Sequence, residues 1–419
     1  MSDNVTSAGS GQAVAPIVGL ILTGGGARAA YQVGVLRAMA RILPREIENP
    51  FRIICGTSAG AINATALAID AGNFHHAVNR LLLVWKNFSS HQVYRTDAFG
   101  ALRTGLRWLL ALAVGGLGKH NPVSLLDNSP LRKLLTEYFD FTAIQARIDA
   151  GELHALSVTA SGYASGQSVS FFQGVDSVEH WQLARRAGSR TSISLDHLMA
   201  STAIPLLFPP VLVQREYFGD GSMRQIAPIS TALHLGAEKI LVIAGGRIAE
   251  RAPDREKSEA QPPSLAQIAG YVLNGLFLDS LEVDIERLQR INSAIAVANR
   301  NGASANGLPL RHIDYMVFSP SVELDKIAAR YAHHLPWSVH FLLRGLGAKK
   351  RSGSNLVSYL LFERPYCRAL IALGYRDAML RRSQILEFLN VEKATQWPAS
   401  IKARQQSASG YARAGFSPA

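Results

Sequence analysis

Residues 53–62 read Ile-Ile-Cys-Gly-Thr-Ser-Ala-Gly-Ala-Ile, and this stretch decides how the chain folds. An apolar run breaks at a glycine, presents one serine and continues into a helix-forming sequence, which predicts a strand, a sharp turn and a helix. In the pattern Gly56-x-Ser58-x-Gly60, the small residues let the backbone turn tightly and lift the serine oxygen clear, beside the first free N–H groups of the helix. Ser58 is therefore a candidate nucleophile. A plain strand-to-helix turn uses the same residue types, so the pattern alone leaves both interpretations open.

A glycine-rich turn precedes this serine. Residues 16–22, Pro-Ile-Val-Gly-Leu-Ile-Leu, form a near-continuous apolar run that is typical of a strand buried on both faces of a parallel sheet. Gly24, Gly25 and Gly26 follow it, and apolar residues at helical spacing come next. Because glycines permit conformations that turn backbone N–H groups inward, this turn predicts an anion cradle at a helix N-terminus.

Two anions fit such a cradle. One is a dinucleotide pyrophosphate, because Gly24-x-Gly26 begins a G-x-G-x-x-G/A fingerprint whose last position here is Ala29. That fingerprint also requires an acidic residue at the end of the second strand, where this chain has the serine turn instead. The other is the oxyanion of an acyl-transfer intermediate, since the glycine loop lies beside the serine turn if the two strands are neighbours. We favour the oxyanion.

The rest of the chain alternates strand-like and helical segments, which predicts an α/β fold with a mostly parallel central sheet. Strands are predicted at 153–160, 167–172, 211–218, 239–244 and 313–318, and helices at 59–71, 74–88, 131–138, 196–201, 265–298 and 359–389. The strand predicted at 211–218 runs into Gly219-Asp220-Gly221, a turn that presents one carboxylate. Taken alone, it is an ordinary Asp-Gly turn.

The charge of the chain is uneven. Its net charge is +12, and residues 344–419 contain 13 basic and four acidic residues, a net charge of +9. Such a segment suits a nucleic acid or an acidic membrane surface, and an ordinary solvated face explains it equally well. Because no nucleic-acid motif with interleaved aromatic residues accompanies it, we expect no nucleic-acid partner. Cys55 and Cys367 are too few for a disulfide framework, and we expect neither a metal nor a cofactor.

No segment predicts a membrane span. The first dozen residues lack the basic start and apolar run of a secretory signal, and the apolar run 108–118 is far shorter than the roughly 20 residues of a spanning helix. Arg103, Arg107 and Lys119 flank this run. It therefore fits either a segment that dips into lipid or caps an acyl-binding cavity, or a buried helix with extended basic side chains. We expect a cytoplasmic protein that contacts anionic membranes peripherally.

The glycine loop, the G-x-S-x-G turn and the Asp-Gly turn together resemble the patatin-like phospholipases, a family of Ser/Asp acyl hydrolases. The resemblance covers roughly residues 17–232 and includes the segment Ala-Ser-Thr-Ala-Ile-Pro-Leu-Leu-Phe-Pro-Pro at 200–210. It implies a three-layer α/β/α fold and cleavage of carboxylic esters of lipids, either phospholipids or lysophospholipids. It also implies that Ser58 is the nucleophile and Asp220 its partner. The implied oxyanion loop comprises Gly24, Gly25, Gly26 and Arg28.

Two positions depart from the family pattern. Ala29 stands where the glycine motif usually ends in glycine, and Ser222 follows the Asp-Gly pair where Gly or Ala is common. A dyad of this kind requires burial of the carboxylate, because an Asp with a pKa near 3.9 is a poor base for a serine hydroxyl. In an apolar site the pKa of Asp220 would rise, and the carboxylate would then take the proton of Ser58.

The chain divides into five parts. We predict a disordered tail at 1–16, a patatin-like domain at 17–245 with a helical insertion at about 74–150, and a linker or surface loop at 246–264. A mainly helical region at 265–395 is expected to pack on the core, and 396–419 to form a second disordered tail.

Two other functions remain as alternatives. The first is an α/β-hydrolase with a Ser-Asp-His triad, in which the histidine follows Asp220. The candidates are His234, His312, His333, His334 and His340. In that fold the serine turn comes after several strands, whereas Ser58 follows only the second, so we favour the dyad. The second alternative is a membrane-surface or nucleotide-binding module in which Ser58 is a turn residue without catalytic function.

Overall fold

The computed structural model describes residues 16–45, 47–95, 124–248, 262, 264–300, 311–345 and 354–391. The strands in this part of the chain are β1 (Val18–Leu22), β2 (Ile53–Thr57), β3 (Ala155–Gly162), β4 (Ser168–Gly174), β5 (Trp181–Gln182), β6 (Arg186–Arg190), β7 (Val211–Val213), β8 (Glu216–Asp220), β9 (Lys239–Ile243) and β10 (Asp314–Phe318). The helices are α1 (Ala30–Ile42), α2 (Ala59–Ile69), α3 (Phe74–Lys86), α4 (Ser129–Tyr138), α5 (Thr142–Asp149), α6 (Leu195–Ser201), α7 (Pro228–His234), α8 (Leu265–Asn274), α9 (Ser280–Arg300), α10 (Leu324–Tyr331), α11 (Trp337–Gly345), α12 (Ser354–Leu360), α13 (Arg364–Leu380) and α14 (Arg382–Phe388).

These strands form one sheet in the order β10-β9-β1-β2-β3-β4-β6-β5, with β8 paired to β3 and β7 paired to β8. The strands from β10 to β3 are parallel to one another, whereas β4 and β8 run antiparallel to β3. The sheet is therefore mostly parallel, as the alternation of strands and helices predicts.

Neighbouring residues of the central strands point into two different cores. Leu20 and Leu22 of β1 pack with α1, α2 and α13, whereas Ile21 between them packs with α7 and α9. Successive side chains of a strand alternate between its faces, so the sheet has helices on both sides. This arrangement confirms the predicted three-layer α/β/α fold and explains why residues 18–22 are apolar throughout.

Strands β2 and β8 meet end to end beside β3. Thr57, the last residue of β2, pairs with Thr159 of β3, and Asp220, the last residue of β8, pairs with the adjacent Ala160. Because β2 runs parallel and β8 antiparallel to β3, the two strands approach the same point from opposite directions. The serine turn and the Asp-Gly turn, about 160 residues apart in sequence, are therefore neighbours in space.

Helix α13 crosses α1 at very short distance. A Cβ atom at Gly34 would lie 2.2 Å from the carbonyl oxygen of Ile371, and one at Gly374 would lie 2.2 Å from the carbonyl oxygen of Tyr31. A glycine on each helix thus permits the contact between backbones. Through this contact the C-terminal helices pack on the same layer that carries the glycine loop.

The predicted helix 265–298 corresponds to α8 and α9, which are joined by a π-helical segment, Gly275–Asp279. Two other predicted elements are interrupted in the structure. The predicted strand 211–218 is a hairpin, because Gln214 turns the chain with a φ of 54° and β7 then pairs antiparallel to β8. The predicted helix 359–389 is split between α12, α13 and α14, since Pro365 lies in the first turn of α13 and cannot continue a preceding helix.

Several predicted segments lie outside the described residues: the two tails, most of the loop 246–264, and the apolar run 108–118 with its flanking basic residues. The boundaries predicted for the five parts of the chain stay predictions. Among the described helices, none combines the length and the apolar character that crossing a membrane requires.

Candidate active site

Ser58 occupies a strained turn between β2 and α2, with a φ of 55° and a ψ of −131°. A positive φ is uncommon outside glycine and often marks a functional site. The Ser58 N–H donates to Ser201 Oγ at 2.9 Å, and the Ser201 hydroxyl donates to the carbonyl of Thr159 at 2.6 Å. Helix α6 and strand β3 therefore hold the turn in place.

The two glycines around Ser58 are required by close packing. A Cβ at Gly56 would lie 2.5 Å from the Cα of Ala61, and one at Gly60 would lie 2.2 Å from the carbonyl oxygen of Leu22. Any larger residue would push the start of α2 away from β1 and β2. The G-x-S-x-G pattern is therefore a consequence of how tightly this turn packs against the neighbouring strand.

Asp220 lies beside this turn and is almost completely buried, with 1% of its surface exposed, compared with 2% for Ser58. Its Oδ1 accepts a hydrogen bond of 2.9 Å from the N–H of Ser222. Its Oδ2 is buried and has no partner of full hydrogen-bond geometry among the described residues. The carboxylate is thus anchored through one oxygen, and the other is left to accept a proton.

Burial raises the pKa of the Asp220 carboxyl to about 6, while the hydroxyl groups of Ser58 and Ser222 and the backbone N–H of Ser222 oppose part of the rise. The charged form loses its hydration in this apolar site, which makes the carboxylate a stronger base than an exposed Asp. Near neutral pH, Asp220 is therefore ionised and able to take a proton.

The glycine loop lies against the serine turn. A Cβ atom at Gly60 would also lie 2.5 Å from the carbonyl oxygen of Thr23, the residue directly before the glycine loop. The N–H groups of Gly24 and Gly25 donate no hydrogen bond to any described residue. Gly26 lines the same cavity as Ser58. These features are compatible with an oxyanion loop, and the assignment stays a prediction.

Arg28, predicted with this loop, directs its side chain to the C-terminal helices. Its guanidinium group is buried, donates to Asn274, Asn355, Ser358 and Tyr359, and lies 3.9 Å from the centre of the Tyr359 ring. Its backbone N–H donates to the carbonyl of Gly25 at 3.1 Å. In this structure Arg28 therefore fastens the loop to α8 and α12, and any direct role at the oxyanion stays a prediction.

The two departures from the family pattern fit the geometry. Ala29 has a φ of −62°, which any residue adopts, so the position does not require glycine. Ser222 holds Asp220 through a backbone N–H that every residue except proline supplies. Its hydroxyl adds one specific effect, since it lowers the pKa of Asp220 against the larger effect of burial.

The five histidines proposed for a triad lie elsewhere. Among the described residues, none of them lines the cavity at Ser58 or hydrogen-bonds to Asp220. His234 stacks on Trp181 at 4.9 Å between ring centres, and His333 packs against His334 at 4.1 Å. The geometry therefore gives no support to a triad.

An apolar cavity of about 920 Å³, counting its opening to solvent, begins at Ser58. Its walls come from α2, α3 and α4 and from the segment 202–208, and include Ile62, Leu81, Trp85, Leu135 and Phe208. Walls of this kind favour apolar ligands. Ser58 thus lies at one end of an apolar cavity, and the buried carboxylate of Asp220 lies beside the serine turn.

Sequence reasoning missed Ser201 and the partners of Arg28. Ser201 lies within the quoted segment 200–210, but nothing in its sequence context indicates a bond to the N–H of Ser58. Asn274 and Tyr359 lie 246 and 331 residues beyond Arg28, and no motif marks them. Only the folded chain brings these groups together.

Comparison with known proteins agrees with this geometry. A model of the patatin-like phospholipase family matches residues 20–233, which is about half of the chain. A cGAMP-activated phospholipase from Pseudomonas aeruginosa is 29% identical over 223 residues, which cover 51% of this chain and 55% of that protein. The chain therefore spans about half the length of this curated relative.

Two solved structures are similar at lower levels. Human GIVD cytosolic phospholipase A2 is 12% identical with a TM-score of 0.41, over 90% of this chain and 59% of that one. VipD from Legionella pneumophila is 12% identical with a TM-score of 0.32, over 96% of this chain and 75% of that one. Neither score adds to the assignment, which depends on the family match. On that match, the chain belongs to the patatin-like phospholipase family.

Proposed function

We propose that this protein is a serine acyl hydrolase that cleaves carboxylic esters of lipids, with Ser58 as nucleophile and Asp220 as base. The observation that carries the proposal is the meeting of β2 and β8, which places a serine on a strained turn against a buried carboxylate at the end of an apolar cavity. Membership of the patatin-like phospholipase family supports the same reaction class.

The reaction follows from this placement. Ser58 Oγ attacks the ester carbonyl while Asp220 takes its proton, and the resulting oxyanion is stabilised by N–H groups of the loop 24–26, at about 3 kcal/mol per donor. The proton then passes from Asp220 to the leaving alcohol, and an acyl group remains on Ser58. Asp220 next takes a proton from water, whose oxygen attacks the acyl group. The bond between the acyl carbon and Ser58 Oγ then breaks, Asp220 returns the proton to Ser58 Oγ, and a fatty acid is released. The acyl chain occupies the apolar cavity throughout.

An active-site label tests the nucleophile. An alkyl fluorophosphonate should modify Ser58, detected by peptide mass, and Ser58→Ala should prevent the modification. Asp220→Asn should slow labelling strongly at pH 7, whereas His234→Ala should not. A folded protein that forms no adduct at Ser58 contradicts the proposal, and loss of labelling in a histidine variant with an active Asp220→Asn variant supports a triad.

A lipid panel tests the substrate class. The protein is incubated with phospholipids, lysophospholipids and neutral glycerides, and the products are identified by mass. The curated relative is named for activation by cGAMP, so each reaction is run with and without this nucleotide. Release of a fatty acid from a phospholipid or lysophospholipid supports the proposal, and release from none of the lipids under either condition contradicts it.

We also propose that the protein meets its substrate at an anionic membrane surface. Trp337 and Phe341 of α11 are 70% and 67% exposed and stack on each other, and Arg344 follows on the same helix. Apolar rings beside basic residues suit the interface of an anionic bilayer. Binding to vesicles with phosphatidylglycerol should exceed binding to phosphatidylcholine alone, should weaken with salt, and should fall in Trp337→Ala. Equal binding to both vesicles would contradict this proposal.

A further inference from the structure

We propose that an ion pair between Asp70 and Arg80 closes the cavity at the end opposite Ser58 and limits the acyl chain to on the order of a dozen carbons. The inference rests on the proposed function, because it specifies the acyl group that the same site accepts.

The cavity follows helix α2 along its whole length. Ala59, Ile62, Ala66 and Ile69 line it from one face of the helix, three or four residues apart, and Asp70 lines it at the helix end. Ser58 lies at the opposite end, directly before α2. Since an α-helix rises by about 1.5 Å per residue, the cavity extends roughly 17 Å from the nucleophile. An extended alkyl chain of about a dozen carbons fills that length.

The far end differs from the walls in its charge. Among the described lining residues, Asp70 and Arg80 are the charged ones. Arg80 binds Asp70 with an N–O distance of 2.6 Å and donates to the carbonyl of Tyr138 at 3.0 Å. The arginine therefore links the end of α2 to the end of α4, across the space between them.

The pair also lies where the cavity approaches solvent. The Asp70 side chain is 14% exposed and that of Arg80 is 40% exposed. A longer alkyl chain would have to displace Arg80 from two hydrogen-bond acceptors, and the partly buried Asp70 carboxylate would lose its hydrogen bond to the arginine and keep the longer contact of 3.7 Å with His76 Nδ1. Each methylene within the apolar walls tightens binding roughly fourfold, and methylenes beyond the pair add nothing.

Straight-chain 1-alkanols of 8 to 18 carbons test this limit without any reaction, by displacement of an environment-sensitive dye from the full-length protein. For the wild type, affinity should rise roughly fourfold per carbon and stop rising near a dozen carbons. In Arg80→Leu the rise should continue, so that the 16-carbon alcohol binds at least about tenfold more tightly than to the wild type. Asp70→Ala, which releases Arg80, should have the same effect.

A matched control is Arg132→Leu. Arg132 pairs with Asp196 at 2.8 Å, its side chain is 44% exposed, and it does not line the cavity. This variant should keep the wild-type limit. An unchanged limit in folded Arg80→Leu and Asp70→Ala proteins would overturn the proposal. An equal increase in affinity for alcohols of every chain length would also overturn the proposal, because that result would place the ion pair at the entrance of the cavity.

Cleavage of p-nitrophenyl esters of the same chain lengths separates this proposal from the proposed function. A shift of the preferred ester towards longer chains in Arg80→Leu supports both. If Arg80→Leu binds longer alcohols more tightly but neither protein cleaves any ester, the result refutes the hydrolase activity. The proposal that the ion pair limits the length of the bound alkyl chain would then still hold.

Discussion

Replacing the candidate base should make the protein more stable. The pKa of Asp220 is about 6 in the folded protein, compared with an ordinary value of 3.8, because burial disfavours the charged carboxylate. The folded state therefore binds this proton more tightly than the unfolded state, and ionisation of the carboxyl destabilises the fold between about pH 4 and pH 6. A difference of about two pKa units corresponds to roughly 3 kcal/mol above pH 6. Asp220→Asn removes this penalty, and its Oδ1 can still accept the N–H of Ser222.

Chemical denaturation of both proteins at pH 7.5 and pH 4 measures the effect. The free energy of unfolding of Asp220→Asn should exceed that of the wild type by on the order of 3 kcal/mol at pH 7.5 and by about 0.5 kcal/mol at pH 4. Asp176→Asn is the control, since this fully exposed side chain should change stability by less than about 0.5 kcal/mol. Equal stability of the wild type and Asp220→Asn at pH 7.5 would refute the conclusion that burial raises the pKa of Asp220. A gain in stability that does not depend on pH would refute it as well.

Three further outcomes follow from the site. With an uncharged ester, kcat/KM should rise about tenfold from pH 5 to pH 7 as Asp220 ionises, whereas a flat profile over this range would contradict the raised pKa. In Gly60→Ala the new Cβ would lie 2.2 Å from the carbonyl oxygen of Leu22. This variant should lower the free energy of unfolding by about 1–3 kcal/mol and abolish fluorophosphonate labelling. A stable variant that is still labelled would contradict the packing argument. Tyr359→Phe removes a hydrogen-bond acceptor of the buried Arg28 cation, so it should destabilise the protein by about 2 kcal/mol. It should also lower kcat more than it changes KM. An unchanged kcat would show that the C-terminal contact does not position the glycine loop.

The fold was largely predictable because its decisive signals are local. The apolar run at 16–22 marks a strand covered on both faces, and the serine turn at 53–62 gives the next strand and helix. The hairpin at 211–218 was missed, because the polar residues 214–216 between its apolar ends include no Gly, Pro, Asn or Asp, the residue types that usually mark a turn. Only the positive φ of Gln214 in the structure reveals the turn. Local patterns thus identify elements well and breaks within them poorly.

The proximity of Ser58 to Asp220 was predictable from the family resemblance, which depends on the order of the motifs. The spacing of the two residues in the sequence did not predict it. The register of β3 brings them together, because Thr159 pairs with Thr57 and the next residue, Ala160, pairs with Asp220. No periodicity encodes that register. The partners of Arg28 are further from prediction, since neutral Asn, Ser and Tyr side chains carry no signal that they surround a cation.

Arg28 also shows why residues 20–233, which carry the family match, do not complete the site alone. A buried guanidinium group requires hydrogen-bond acceptors, and here they all come from residues 274–359. The backbone behaves similarly, because Gly26 packs against the carbonyl of Tyr359, where a Cβ would lie 2.3 Å from the oxygen. Without these helices the cation would be exposed and the loop would lose the surface against which it folds. The C-terminal helices are therefore a structural part of the site, and changes in them should be transmitted to the glycine loop through Arg28.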